Sequence, residues 1–303
     1  MEESHDDATF AATVESFEAE TKTVLVEDHG RHYTGWTTGD GIAVFQGNTF
    51  ADKFGYVSGK EGNDAAFSLV EAATTSEHTF TANVALYPYM SDLECKEENE
   101  VFEISNVLFP SVQEYLENSF AEESFLMVAL TSELKDRMLH FKNVSGALRL
   151  KVKAAEDIDT VYVNKIVLTG RNEELIAGKA SVKISEGNDP IVVMEQNSAQ
   201  TQITLNCPKV HLTDSTVTEF IIALPETRFD YGFKVSIYAE GIEEPYTRIS
   251  TDKQRIKRSR ILTMPSITFG EHVDQPDLPV GPQEGDYIDE YNENHRQGIK
   301  IGE

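Results

Sequence analysis

Along residues 139–154 (LHFKNVSGALRLKVKA) apolar side chains fall at Phe141, Val144, Leu148, Leu150 and Val152. From Ala147 onward polar and apolar positions alternate strictly, which is the period of a half-buried β-strand. Asn143, Ser145 and Gly146 interrupt the early part, as a bulge or tight turn does. The stretch lies near the middle of the chain and is expected to open a second domain. Residues 9–16 (TFAATVES), with Phe10 and Val14, open a first in the same way.

The same texture recurs on both sides. Residues 21–26, 42–45, 65–70, 78–89, 101–104 and 124–130 read as strands separated by Gly, Ser, Glu and Asn clusters. Gly39-Asp40-Gly41 has the composition of a tight turn, and Trp36, the one tryptophan, is expected to anchor a core beside it. Residues 111–118 (SVQEYLEN) are the best helix candidate of this half, at only two turns. Beyond residue 154, strands are expected at 159–169, 175–184, 191–194, 202–205, 218–224, 233–238, 246–250 and 260–269. Short strands at this spacing point to an all-β protein built as a sandwich. Residues 271–303 differ: Pro276, Pro279 and Pro282 among Asp, Gln and Gly form a linker that packs no core, followed by a polar segment expected to be disordered. The domain expectation is therefore 8–138, 139–270 and an acidic tail over 271–303.

Length and charge narrow the function classes. A chain of 303 residues accommodates two domains with their cores. Twenty-six Lys and Arg against 52 Asp and Glu leave a formal net charge of −26, which repels phosphate backbones, so nucleic acid is not expected as a partner. Cys95 and Cys207 fall in different halves and read as two buried thiols. No apolar run approaches the roughly 20 residues of a membrane span. The polar residues 1–7 do not have the composition of a signal peptide, and Met1 is read as a start that replaces whatever preceded it.

The successive segments FAATVESFEAETKTVL, GWTTGDGIAVF, YPYM, LHFKNVSGALRLKVKA, KIVLTGRNEELIAGKASV, FIIALPETRFDYGFKVSIYAEG and RSRILTMPSITF, in this order and spacing over residues 8–270, resemble fimbrillin-like proteins of Bacteroides-type bacteria. The resemblance implies two tandem transthyretin-like β-sandwich domains. It implies export with a signal sequence, an outer-membrane lipid anchor in the precursor, and a place on the cell surface. The implied role is a subunit, tip or anchor of type V fimbriae, without enzymatic chemistry or cofactor. Members that polymerise do so by strand exchange with other fimbrial subunits after a trypsin-like protease cuts beyond the first strand. On this chain the leaving strand would be residues 9–16, with Thr9, Phe10, Ala12 and Val14, and the cut would follow Lys22 or Arg31. The last segment, DYIDEYNENHRQGIKIGE, also resembles the lead-in to a compact C-terminal domain found after such modules.

Other chemistry finds little to start from. Among eight histidines only His29 and His32 are close, and no Cys or carboxylate completes a metal-ligand spacing around them. No phosphate loop or nucleophile elbow appears. Asp92, Glu94, Glu97, Glu98 and Glu100 lack the turn glycine and alternating ligands of a calcium loop and read as a solvated face. Lys253, Arg255, Lys257, Arg258 and Arg260 form one basic cluster. On alternating strand positions Arg255, Lys257 and Ser259 would face outward, either to protect an edge or to meet an acidic subunit or an anionic glycan. Binding of a host glycan or protein without polymerisation is the second expectation, with Tyr87, Tyr89, Tyr231 and Tyr246 as its aromatic candidates.

Overall fold

Alternating β-branched and aromatic residues, punctuated by Gly, Asn, Asp and Ser, build 24 strands and no helix among the residues described. The computed structural model describes residues 9–15, 26–28, 31–33, 35–59, 64–73, 80–121, 123–156, 158 and 160–271. In chain order the strands are β1 (Thr9–Val14), β2 (Val26–Asp28), β3 (Arg31–Tyr33), β4 (Gly41–Gln46), β5 (Asp52–Gly59), β6 (Ala65–Glu71), β7 (Asn83–Tyr87) and β8 (Glu94–Glu98). Next come β9 (Val101–Phe109), β10 (Val112–Glu114), β11 (Met127–Leu130), β12 (Met138–Asn143), β13 (Ser145–Ala154), β14 (Val161–Gly170), β15 (Gly178–Ile184) and β16 (Ile191–Met194). The last eight are β17 (Gln202–Leu212), β18 (Thr218–Pro225), β19 (Thr227–Phe229), β20 (Phe233–Ala239), β21 (Tyr246–Ile249), β22 (Gln254–Ile256), β23 (Ile261–Thr263) and β24 (Ile267–Phe269).

Seven strands close into a barrel in the order β1-β12-β11-β7-β4-β5-β6, with β6 returning to β1. Phe10, Ile42, Val44, Phe54, Phe67, Met127, Leu139 and Phe141 fill its interior. Strands β4, β7 and β11 are buried on both faces. Their outward residues Ala43, Phe45, Val84, Leu86 and Val128 meet a second sheet, β16-β15-β9-β8, through Cys95, Phe102, Ile104, Val107, Ala180 and Val182. A double-sided apolar requirement explains why these strands read as continuous hydrophobic runs rather than alternating ones. The third core is a sandwich. The sheet β10-β17-β14-β20-β21 faces β18-β13-β23, joined by β24, across Leu148, Leu150, Val152, Val163, Ile166, Leu168, Phe220, Ile222 and Phe233.

Residues 139–154, expected to be one strand, are two. β12 belongs to the barrel and pairs with β1 and β11, whereas β13 belongs to the sandwich and pairs with β18. The break falls at Val144: the Val144 and Ser145 backbone N–H groups both donate to the Leu126 carbonyl, a bulge-like arrangement. Pairing also crosses this point elsewhere. β9 pairs with β15, and β10 pairs with β17. All these strands fall within one compact unit spanning Met1–Glu271.

Residues 111–118 are not helical. Asn118 at their end adopts a φ of 56°, outside the helical region. Within β10, Gln113 is buried between exposed Val112 and Glu114, a period of two. Its side-chain amide donates to the Ala223 carbonyl at 2.6 Å and accepts from the Ala223 N–H at 3.0 Å. Gln113 thereby caps the outer edge of β18, satisfying backbone groups that would otherwise be open to a foreign strand.

Candidate functional site: the slot of the first strand

β1 lies between two neighbours on which it depends along its whole length. It runs antiparallel to β6, with Thr9 opposite Ser68 and Ala12 opposite Ala65. It runs parallel to β12, with Ala11 opposite Met138 and Val14 opposite Phe141. Phe10, Ala12 and Val14 point into the barrel and are buried. Phe10 meets Phe54 edge-on at 5.1 Å, and the Arg137 guanidinium sits 4.9 Å from the Phe10 ring centre. Burying Phe10 and Val14 contributes roughly 1.5–3 kcal/mol each. Thr13 Oγ1 shares a hydrogen bond of 2.8 Å with His140 Nδ1 on the outer side. Removing β1 would open the barrel, expose the edges of β6 and β12, and leave a lengthwise apolar slot.

Trp36 packs against the core that lines this slot. Its ring meets Phe67, Tyr87 and Phe141 edge-on at 5.0, 5.2 and 5.4 Å. The neighbouring turn is held by Asp40, whose carboxylate accepts from the Thr37 N–H at 2.6 Å and from the Tyr87 hydroxyl at 3.0 Å. The tryptophan anchor expected beside Gly39-Asp40-Gly41 is in place.

Of the two expected cut positions, Lys22 lies outside the described residues. Arg31 is the first residue of β3 and pairs with Asp28 of β2. A backbone already engaged in a ladder is a poorer protease substrate than an open segment.

Arg255 and Lys257 of the basic cluster are exposed, whereas Ser259, expected to face outward with them, is buried. Only Arg255 lies on a strand, β22; Lys257 follows it, and Arg258 and Ser259 form a turn. Ser259 is buried with a φ of 55°, so the alternation ends at Lys257. The cause is a close approach to β13: the Ser259 N–H donates to the Ser145 carbonyl, and Asn143 Nδ2 donates to Ser259 Oγ at 2.8 Å.

This turn swings Arg258 towards the end of β1. Arg258 forms an ion pair with Glu15, the residue after β1, through Nη1. Nη1 also donates to the Asn143 carbonyl at 2.9 Å, and Nη2 donates to Asp189 Oδ1 at 2.8 Å. Burial alone would lower the Arg258 pKa; the hydrogen bonds and charges of Glu15 and then Asp189 outweigh it and raise the pKa. Arg255 pairs with Glu226. Lys257 and Arg260 line the same cleft, of about 460 Å³, and are exposed. Glu15, Asp189 and Glu226 were not singled out in the sequence, because single carboxylates far apart along the chain carry no local pattern.

The tyrosines separate by role. Tyr87 is a core residue, and the Tyr246 hydroxyl donates to the Thr268 and Glu271 carbonyls. Arg171 donates to the Tyr231 carbonyl at 2.7 Å, which uses Tyr231's backbone and leaves its ring out of the contact. Tyr89 lines a groove of about 490 Å³ with Met90, Leu108, Val112 and Leu116. The acidic residues 94–100 form the β8–β9 hairpin, where Glu97 Oε1 accepts from the Glu100 N–H at 2.8 Å. Among the described residues no three His, Cys, Asp or Glu side chains converge as a metal site would require.

No family model and no curated protein matches the chain. Solved structures do. A protein of Bacteroides ovatus provisionally assigned to cell adhesion is 11% identical, with a TM-score of 0.49, over 85% of this chain and 92% of that one. A Bacteroides uniformis protein with the same assignment is 13% identical, with a TM-score of 0.46, over 88% and 94%. A fimbrial assembly protein of Parabacteroides distasonis is 10% identical, with a TM-score of 0.36, over 85% and 90%. At such identities and scores function does not carry across.

Proposed function

We propose that this chain is a non-enzymatic cell-surface fimbrial subunit or tip adhesin of the type V kind. Its first strand would be replaced by a strand from a neighbouring subunit after proteolysis. The observation carrying this reading is the placement of β1: the first described strand, with three inward side chains and backbone ladders to β6 and β12. An incoming extended segment restores both ladders and refills the pockets of Phe10, Ala12 and Val14, the physical basis of strand addition. Export and a lipid anchor in the precursor belong to the same reading.

A trypsin-like protease applied to the folded protein tests it. The expected result is one cut between residues 16 and 31, loss of residues 9–15 from the product, and growth of filaments visible by electron microscopy. A cut product that stays monomeric and retains β1 at every concentration contradicts the reading.

The groove around Tyr89 supports a second reading, a stand-alone surface lipoprotein that binds a glycan or host protein without polymerising. Leu108, Val112 and Leu116 are exposed along it. A glycan array and a host-protein binding screen on the uncut protein test this: binding abolished by Tyr89→Ala supports it, and absence of any binding in both contradicts it.

A further inference from the structure

The ladder of β1 with β6 ends at Ala12 and that with β12 at Val14, yet Glu15 beyond them is held as firmly. Glu15 accepts from the Asn143 N–H at 2.6 Å and from Arg258 Nη1, while its own N–H donates to the Phe141 carbonyl at 2.9 Å. Asn143 is the last residue of β12, immediately before the break that leads into β13. The Arg258 side chain is only 18% exposed, so its charge depends on nearby carboxylates. Asp189 is 67% exposed and screened by water; Glu15, at 27%, is the better-shielded partner. Glu226 is taken by Arg255.

We propose that Arg258 is a specificity residue for whatever strand fills the β1 slot. It selects an extended segment, supplied by a neighbouring subunit, that carries a carboxylate one residue beyond its last inward side chain. This inference rests on the proposed replacement of β1. When β1 leaves, Glu15 leaves with it, and Arg258 keeps the exposed Asp189 and the Asn143 carbonyl. Exposed Lys257 and Arg260 line the same cleft. A neutral or cationic residue arriving there leaves a largely buried guanidinium short of charge. A carboxylate restores both the ion pair and the acceptor for the Asn143 N–H. The slot therefore reads a pattern: aromatic, small and β-branched at alternate positions, as in Phe10, Ala12 and Val14, followed at once by an acid, as in Glu15.

Two measurements on the full chain test this. In the uncut protein, Arg258→Gln and Glu15→Gln should each speed hydrogen exchange of the β1 amides about ten- to a hundredfold relative to the rest of the barrel, the range expected for a charged hydrogen bond. The double variant should fall short of the two single effects multiplied together, because both changes remove the shared ion pair. Asp189→Asn should have the smaller effect. Unchanged β1 exchange in both single variants overturns the proposal.

For the second measurement, a specific protease sequence is inserted between Glu20 and Thr21 and cut. Labelled peptides of residues 9–15 and their Glu15→Gln form then compete for the slot. Preference for the Glu form of at least about tenfold, lost in Arg258→Gln while binding persists, supports the assignment. Entry of both peptides without preference, or a preference that survives Arg258→Gln, overturns the role of Arg258 alone. Entry of neither peptide overturns the replacement of β1 itself, and the incoming-strand selection with it.

Discussion

A Cβ added to Gly146 would lie 2.2 Å from the Lys257 carbonyl oxygen and 2.8 Å from Ile256 Cγ2. The first of these is backbone and cannot rotate away, so the glycine is what lets the loop carrying Arg258 rest on β13. Gly146→Ala should lower stability by about 1–3 kcal/mol, the usual cost of overpacking, read from the midpoint of urea unfolding at unchanged slope. A midpoint within error of wild type would show that the loop does not depend on this contact. The thiols make a second prediction at this scale. Burial pushes the pKa of both Cys95 and Cys207 up to about 12. At pH 8 only about one thiol in ten thousand is then a thiolate, and the thiolate is the reactive form. Both should resist maleimide in the folded protein and react at once in denaturant; labelling of either under native conditions contradicts the burial.

Strands differ in how plainly the sequence announces them. β1, β4, β7 and β13 were legible because apolar residues recur at period two or in short unbroken runs. β8, Glu-Cys-Lys-Glu-Glu, was not read as a strand: Cys95 is its one inward apolar residue, and charge masks the alternation. β5 escaped because Gly55 and Ser58 dilute its pattern. The Arg258–Glu15 contact joins residues 243 positions apart, and no local signal announces it. At the same scale, β8, β9 and β15 carry a cross-strand row. Glu103 sits 3.2 Å from Lys96 and 3.8 Å from Lys183. Its carboxyl pKa is lowered, first by a hydrogen bond from Ser181 and then by the two lysines, against the opposing effect of burial. A carboxyl with a depressed folded pKa adds stability above its unfolded pKa, and that increment is lost as pH falls through the folded value. Replacing Glu103 with Gln should therefore cost less than about 1 kcal/mol near neutral pH, as fits a partly exposed pair. The difference from wild type should shrink steadily with acidification below the usual glutamate range, as measured by urea unfolding at several pH values. A difference that grows with acid would contradict the assigned direction.

For the whole molecule, the barrel, its outer sheet and the sandwich share strands and faces. β12 continues into β13, and Ala147, Ile221 and Ala223 of the sandwich strands contribute to the barrel core. Phe10→Ala should consequently cost about 3–5 kcal/mol, the range for large core aromatics, and change the emission of Trp36, which packs on the same barrel core. Unaltered emission and stability would mean that β1 is dispensable to the barrel. Replacement of β1 is the central claim, and a reversible covalent lock tests it most directly. Ala11 of β1 faces Ala66 of β6 in antiparallel register, a spacing of roughly 4.5–5.5 Å between Cα atoms that suits a disulfide. Cys95 and Cys207 are buried and leave this pair undisturbed. The full chain with Ala11→Cys and Ala66→Cys, cut between Glu20 and Thr21 through an inserted site, is followed by size chromatography with and without reductant. The account predicts monomers while the disulfide holds and filaments once it is reduced; equal assembly in both states, or none in either, would contradict it.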